Sequence, residues 1–318
     1  MKKISMAALK KAIVAVEAER LKQPVALRLD RAQYSNLQKT RRASEKMLSG
    51  FLREAGLDLK KFQALQEQRS AELERVVARQ KTDALRRASR QKDTLHSSIV
   101  AQSTALRDLA SRGDFFPNPS FSLDTPFSIW TTPLQPLADS AAVPFGSWAK
   151  FDFKTSAYQG TQKVGFYFYW ANPLSDYAVI NATTFMSATG HLRTHAPWGL
   201  GVNHSWVEVK ARFGLWFGWP NDVASTSYAT ASLRSIGSYS NTGTGPSIDA
   251  ISVSAGVTLS KTMFAVPPGN AVVFEVALAV DYENDKGNID ADFASGDFRI
   301  ACPVVVFSLL NSPTDVMA

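Results

Sequence analysis

Four carboxylates, Asp281, Glu283, Asp285 and Asp292, alternate along one short stretch around Gly287. Hard oxygen donors supplied from a single turn are what a calcium loop offers its ion. The turn glycine of a D-x-D-x-D-G loop is Lys286 here, which adds a positive charge, so an acidic solvated hairpin is expected and no metal is assigned. His191, His195 and His204 raise zinc in the same way, because neutral imidazoles suit it. On an extended chain residues four apart lie about 13 Å apart, so a shared ion would need a turn over residues 192–194. Ordinary loop or sheet histidines are the expectation. No G-x-S-x-G elbow, H-E-x-x-H, C-x-x-C or Walker loop occurs, and NTGTGPS reads as a loop without phosphate-binding weight. No catalytic residue and no cofactor is assigned, and the chain is read as a non-enzyme.

Two other patterns suit recognition better than catalysis. Trp198 sits beside Pro197 and Gly199, Trp216 and Trp219 flank Gly218 before Pro220, and Tyr228 and Tyr239 follow. Flat rings at loop tips stack on sugar faces or anchor protein contacts at little entropic cost, provided several share one exposed surface. In the Ser/Thr-rich stretch 226–260, Ile251, Val253, Ala255, Val257 and Leu259 alternate with small or hydroxyl residues. That is about the length of a membrane-crossing β-strand, and β-pore-forming toxins hold such hairpins folded before insertion. It is equally what a sandwich strand with one wet face looks like. The expectation for the soluble protein is a hairpin with Ile251, Val253, Val257 and Leu259 facing the core.

The elements that must carry these residues change abruptly along the chain. Met6, Leu9, Ile13 and Val16 share one helical face that should end near Pro24, and Tyr34, Leu37, Arg41, Ser44, Leu48, Phe51 and Ala55 continue the spacing. Gly56 then breaks the pattern and Asp58 is a credible N-cap. From there to Arg112 there is neither Gly nor Pro, which allows one helix of roughly 55 residues, on the order of 80 Å long. Its seam, Leu85, Ala88, Lys92, Leu95, Ile99, Gln102, Leu106 and Leu109, is a heptad with polar members that would fix register and oligomer state. Leu59, Phe62, Leu73 and Val76 lie out of phase with it. A helix this long needs a packing partner, and Leu85, Leu95, Ile99, Leu106 and Leu109 are assigned to self-association.

Of the chain's aromatic residues, all but Tyr34, Phe51 and Phe62 lie beyond residue 114. Residues 113–125 read as a linker, since FFPNPSFSLDTP forbids helix. Short β-type runs follow, among them 148–154, 164–170, 177–185, 206–216, 271–280 and 298–309, with turn residues between them, Gly190 included. The fold class is therefore α+β multidomain: residues 1–112 a basic helical bundle or coiled-coil segment, residues 126–318 an antiparallel, jelly-roll-like β-sandwich.

Residues 1–114 hold 25 Lys and Arg against 13 Asp and Glu, while the remainder holds 10 against 15, so a chain of formal charge +7 is strongly dipolar. Acidic residues interleaved among the basic ones argue against nucleic acid as partner. The single cysteine, Cys302, excludes a disulfide framework within the chain. Lys10 and Lys11 interrupt the apolar start and Glu17 and Glu19 end it, so no signal peptide is read and synthesis in the cytoplasm is expected, with release by lysis or a specialised route. The plan of helical stalk and β-rich head resembles that of fibre, adhesin and tail-spike-like recognition proteins. The leading expectation is a non-enzymatic homo-oligomer in which the helices assemble and the sandwich binds a carbohydrate, a protein or a lattice neighbour. A pore-forming toxin, with the membrane as its partner, stands second, and a capsid-like shell follows.

Overall fold

The computed structural model describes residues 5–22, 31–112, 120–131, 136–218 and 223–310; the side chains of 19–22, 31–38, 92–96, 98–100, 102–103, 106–112 and 120 fall outside that description. Three helices come first: α1 (Met6–Lys22), α2 (Arg31–Glu54) and α3 (Leu59–Arg112). Gly56, at φ 78°, ends α2, and the amides of Gly56 and Leu57 return to the carbonyls of Arg53 and Leu52. Asp58 caps α3 as its type suggests, its carboxylate accepting from the amides of Lys60 and Lys61 at 3.0 and 3.1 Å. With no breaker beyond it, α3 runs uninterrupted for 54 residues. Among the described residues no helix is long and apolar enough to cross a membrane.

Fourteen strands follow: β1 (Ser120–Leu123), β2 (Ser128–Thr131), β3 (Asp139–Ala141), β4 (Trp148–Thr155), β5 (Gln159–Ala171), β6 (Ala178–Ala196), β7 (Asn203–Phe217), β8 (Ala224–Ser225), β9 (Ala229–Ser240), β10 (Ser247–Val266), β11 (Ala271–Asp285), β12 (Asn288–Phe293), β13 (Arg299–Ala301) and β14 (Val305–Leu309). They form an antiparallel sandwich of an eight-stranded and a six-stranded sheet. The long β6 is the spine of the first: β10 pairs along one side of it, and β14, β13 and β12 pair in turn along the other. The second is ordered β2, β5, β11, β7, β8, with β9 also on β7. Even-numbered residues of β6 and β11 and odd-numbered residues of β7 meet in the core, among them Met186, Leu192, Phe213, Phe274 and Leu278. Part of the expected linker belongs to this fold, since β1 pairs with β14.

Four sequence expectations change. Gly190 is not a turn but the middle of β6, where a Cβ would meet the Phe293 ring at 2.5 Å and the Asp292 carbonyl at 2.6 Å. The stretch 226–260 is not a hairpin: β9 pairs with β7 in one sheet and β10 with β6 in the other, so the connection crosses the sandwich. Val253 and Leu259 are buried and Val257 packs against the core from a half-buried position, but Ile251, on the edge strand β10, is 36% exposed. Leu85 does not face another helix; with Ala84 and Ala88 it packs on Phe298 of the sandwich. Leu95, Ile99, Leu106 and Leu109 lie outside the described side chains.

The helices lie on both outer faces of the sandwich. On the six-stranded sheet, Leu9 and Ile13 of α1 are buried against Tyr167, Trp216 and Val273. On the eight-stranded sheet α3 lies across β6 and β10, pairing Glu74 with Arg193 and Lys81 with Asp292. From α2, Arg41 pairs with Asp285 and Glu45 with Lys286, at the β11–β12 turn.

Candidate binding face

Side chains alternate across a strand, so one row of β11 and one of β7 must point outward from the six-stranded sheet. The outward row of β7 is His204, Trp206, Glu208, Lys210 and Arg212, and that of β11 opposite it includes Glu283 and Asp281, the register setting Glu283 against Trp206 and Asp281 against Glu208. β9 borders the row with exposed Thr230, Ser232, Ser235, Gly237 and Tyr239. Gly237 lies beneath Trp206, where an added Cβ would be 3.5 Å from the indole, and so leaves that ring room to lie along the sheet.

The charged groups hold one another. Asp281 accepts from the Thr161 hydroxyl at 2.6 Å, from Arg212 Nη2 at 2.9 Å and from Lys210 at 3.2 Å. Lys210 also reaches Glu208 at 2.8 Å, and His204 Nε2 lies 3.1 Å from Glu283. Partial burial alone would lower the Lys210 ammonium, but its hydrogen bonds to Glu208 and Asp281 outweigh that and hold its pKa above the ordinary lysine value. The result is a partly exposed lattice of fixed donors and acceptors beside an indole and a phenol. An array of this kind can bind by stacking and hydrogen bonding without reorganising its side chains.

The expected binding residues are distributed differently. Tyr239 is 51% exposed on this face. Trp198 is half-buried, its ring 5.1 Å from Phe62 of α3 and its Nε1 donating to the Thr242 carbonyl at 3.2 Å, so it anchors a helix. Trp216 is fully buried, and with Tyr228 it donates to Glu275, at 2.6 and 2.7 Å. Trp219 lies outside the described residues. Trp206 was missed because it sits inside a strand and not at a loop tip; period-two alternation through WVEVKAR marks it as outward-facing.

The four carboxylates do not converge. Asp281 and Glu283 belong to this face, Asp285 is taken by Arg41, and Asp292 on the other sheet accepts from Ser295 and pairs with Lys81 at 2.5 Å. Lys286 takes the left-handed conformation, φ 60°, where a calcium loop has glycine. Among the described residues no three metal-ligating side chains cluster. His191 and His195 share the outward face of β6 under α3: Ser70 lies 3.3 Å from His195 Nε2, and His191 is buried.

No family model matches the chain, and no curated protein matches it. Similar solved structures include carbohydrate-binding modules. One, in complex with β-1,4-galactotriose, is 10% identical, covering 64% of this chain and 93% of that one at a TM-score of 0.20. Another, from Clostridium stercorarium with cellobiose, is 9% identical, covering 61% and 95% at 0.20. A mannan-recognising module is 12% identical, covering 59% and 95%, also at 0.20. Likenesses at this level carry no weight for ligand or role, which must come from the side chains themselves.

Proposed function

We propose that this chain is a non-catalytic recognition protein that binds a saccharide on the outward face of its six-stranded sheet. The observation that carries the reading is the mutually fixed row Glu208, Lys210, Arg212 and Asp281 beside Trp206 and exposed Tyr239. Sugar rings offer an apolar face to stack on an aromatic ring and a rim of hydroxyls that pair with charged donors and acceptors, and this face supplies both. Affinity electrophoresis against a panel of neutral and acidic polysaccharides tests it. Trp206→Ala or Tyr239→Ala should weaken retention at least about 30-fold, the ~2 kcal/mol of an aromatic hot spot. Retention of no polysaccharide, or retention indifferent to both substitutions, overturns it.

Self-association through the helices is a second, separate reading. It is favoured by large apolar side chains on their outer sides, Met47 at 78%, Phe51 at 66% and Val76 at 51% exposed. Native mass by light scattering tests it: a monomer at tens of micromolar overturns it, as does an oligomer unaffected by Phe51→Asp.

A further inference from the structure

The helix α1 lies on the same outward face as the proposed saccharide site, over the half that begins at Lys163. Beneath it is more chemistry than seating a helix requires. Glu275, fully buried, points outward from the central strand β11 and holds the indole of Trp216, the hydroxyl of Tyr228 and, at 2.5 Å, the ammonium of Lys163. Trp130 and Tyr167 stack beside them with centroids 5.6 Å apart, and Tyr169 flanks the cluster. Against this, α1 presents Leu9, Ile13 and Val16, which would bury equally well on an aliphatic face, and Glu17, which reaches Lys163 at 2.8 Å.

The covered half has the same chemical inventory as the half-exposed one and runs into it along β11, where Glu275 and Asp281 stand about 20 Å apart. Both halves join a carboxylate held by several donors to flanking aromatic rings. A helix of 17 residues is marginal by itself in water, so undocking α1 would also unfold it. We propose that α1 is a displaceable cover over the second half of one extended groove, whose full ligand is a saccharide chain long enough to occupy both halves. The proposal rests on the saccharide reading of the half-exposed face.

The test uses the full chain with α1 loosened, by Ile13→Asp or, leaving the apolar contacts intact, by Glu17→Lys. Hydrogen exchange over residues 6–22 verifies that the helix is released, and Glu17→Lys carries the test if Ile13→Asp does not fold. The probes are fragments of two to six sugars prepared from each polysaccharide of the panel, measured by calorimetry. Wild-type affinity should level off at short fragments, and the loosened variants should gain at least ten-fold for the longest while the disaccharide is unchanged. Adding Tyr169→Ala should cancel that gain. Wild-type binding with no gain on loosening overturns the cover and leaves the saccharide reading standing. Binding by the loosened variants alone overturns the reading of the half-exposed face and with it the extended groove, and binding by neither overturns both.

Discussion

Lys163 lies between two carboxylates, Glu275 at 2.5 Å and Glu17 at 2.8 Å, with all three groups nearly shut off from solvent. Burial pushes the Glu275 carboxyl up, but the Lys163 charge and the hydrogen bonds from Lys163, Tyr228 and Trp216 hold it below the ordinary glutamate value. A carboxyl depressed in this way stabilises the fold above its unfolded pKa, and that contribution is lost as pH falls through the folded value. Lys163→Met leaves Glu275 and Glu17 buried without their cation, which should cost about 3–5 kcal/mol in urea unfolding at neutral pH. The deficit should shrink in acid, where the stranded carboxyls take up protons. A deficit that is small or independent of pH would show that the pair is not buried as described. Part of this was legible: Glu275 interrupts the apolar run 271–280, and a carboxylate there needs a partner. The partner itself was not, since Lys163 is 112 residues away.

At the scale of elements, periodicity carried the argument well and topology poorly. The helical spacing of Leu9, Ile13 and Val16 marks the side of α1 that packs, although Met6 at its start is exposed, and the breaker-free stretch from Asp58 to Arg112 becomes one helix. Alternation in residues 251–259 puts Val253 and Leu259 in the core, but it does not encode which sheet a strand joins, and so β9 and β10 read as one hairpin when they belong to two sheets. Releasing them together would strip a strand from each sheet. Gly190 misled for a related reason, because glycine marks both turns and close approaches. Gly190→Ala should cost about 1–3 kcal/mol, since the new methyl has only the Phe293 ring and the Asp292 backbone to displace. Gly50, inside α2 with nothing within 4 Å of an added Cβ, is the control: Gly50→Ala should stabilise by up to ~1 kcal/mol. Equal effects at the two sites in thermal unfolding would refute the close-packing account.

At the scale of the whole molecule, the charge asymmetry of the sequence finds its partner within the chain. The basic helical segment lies against the acidic sandwich through Arg41 with Asp285 and Lys81 with Asp292, reciprocated by Glu45 with Lys286 and Glu74 with Arg193. Apolar contacts between α3 and the sandwich include Phe62 on Trp198 and Ala84, Leu85 and Ala88 on Phe298. Beneath α3, Glu74, Val77, Ala78, Lys81, His191, Arg193 and Asp290 line a cavity. Burial there, reinforced by the Lys81 charge and only partly offset by Asp292, lowers His191 to about 4 from 6.5. The docked state therefore binds fewer protons at His191 than the undocked one between those values, so the histidine's contribution weakens docking as pH falls from 6.5 toward 4, opposed by Asp290, whose carboxyl burial raises. Asp292, whose carboxyl burial would raise but whose bonds to Lys81 and Ser295 hold low, weakens docking in the same direction at still lower pH. Hydrogen exchange over residues 59–91 should accordingly speed up as pH is lowered from 6.5 to 4, after correction for the intrinsic rate, and high salt should add to the effect. In His191→Gln the slope between 6.5 and 4 should flatten while the loss below 4 persists. If that variant follows the wild-type profile throughout, the histidine beneath α3 does not govern how the helix is held, and the acid sensitivity belongs to the carboxylates alone.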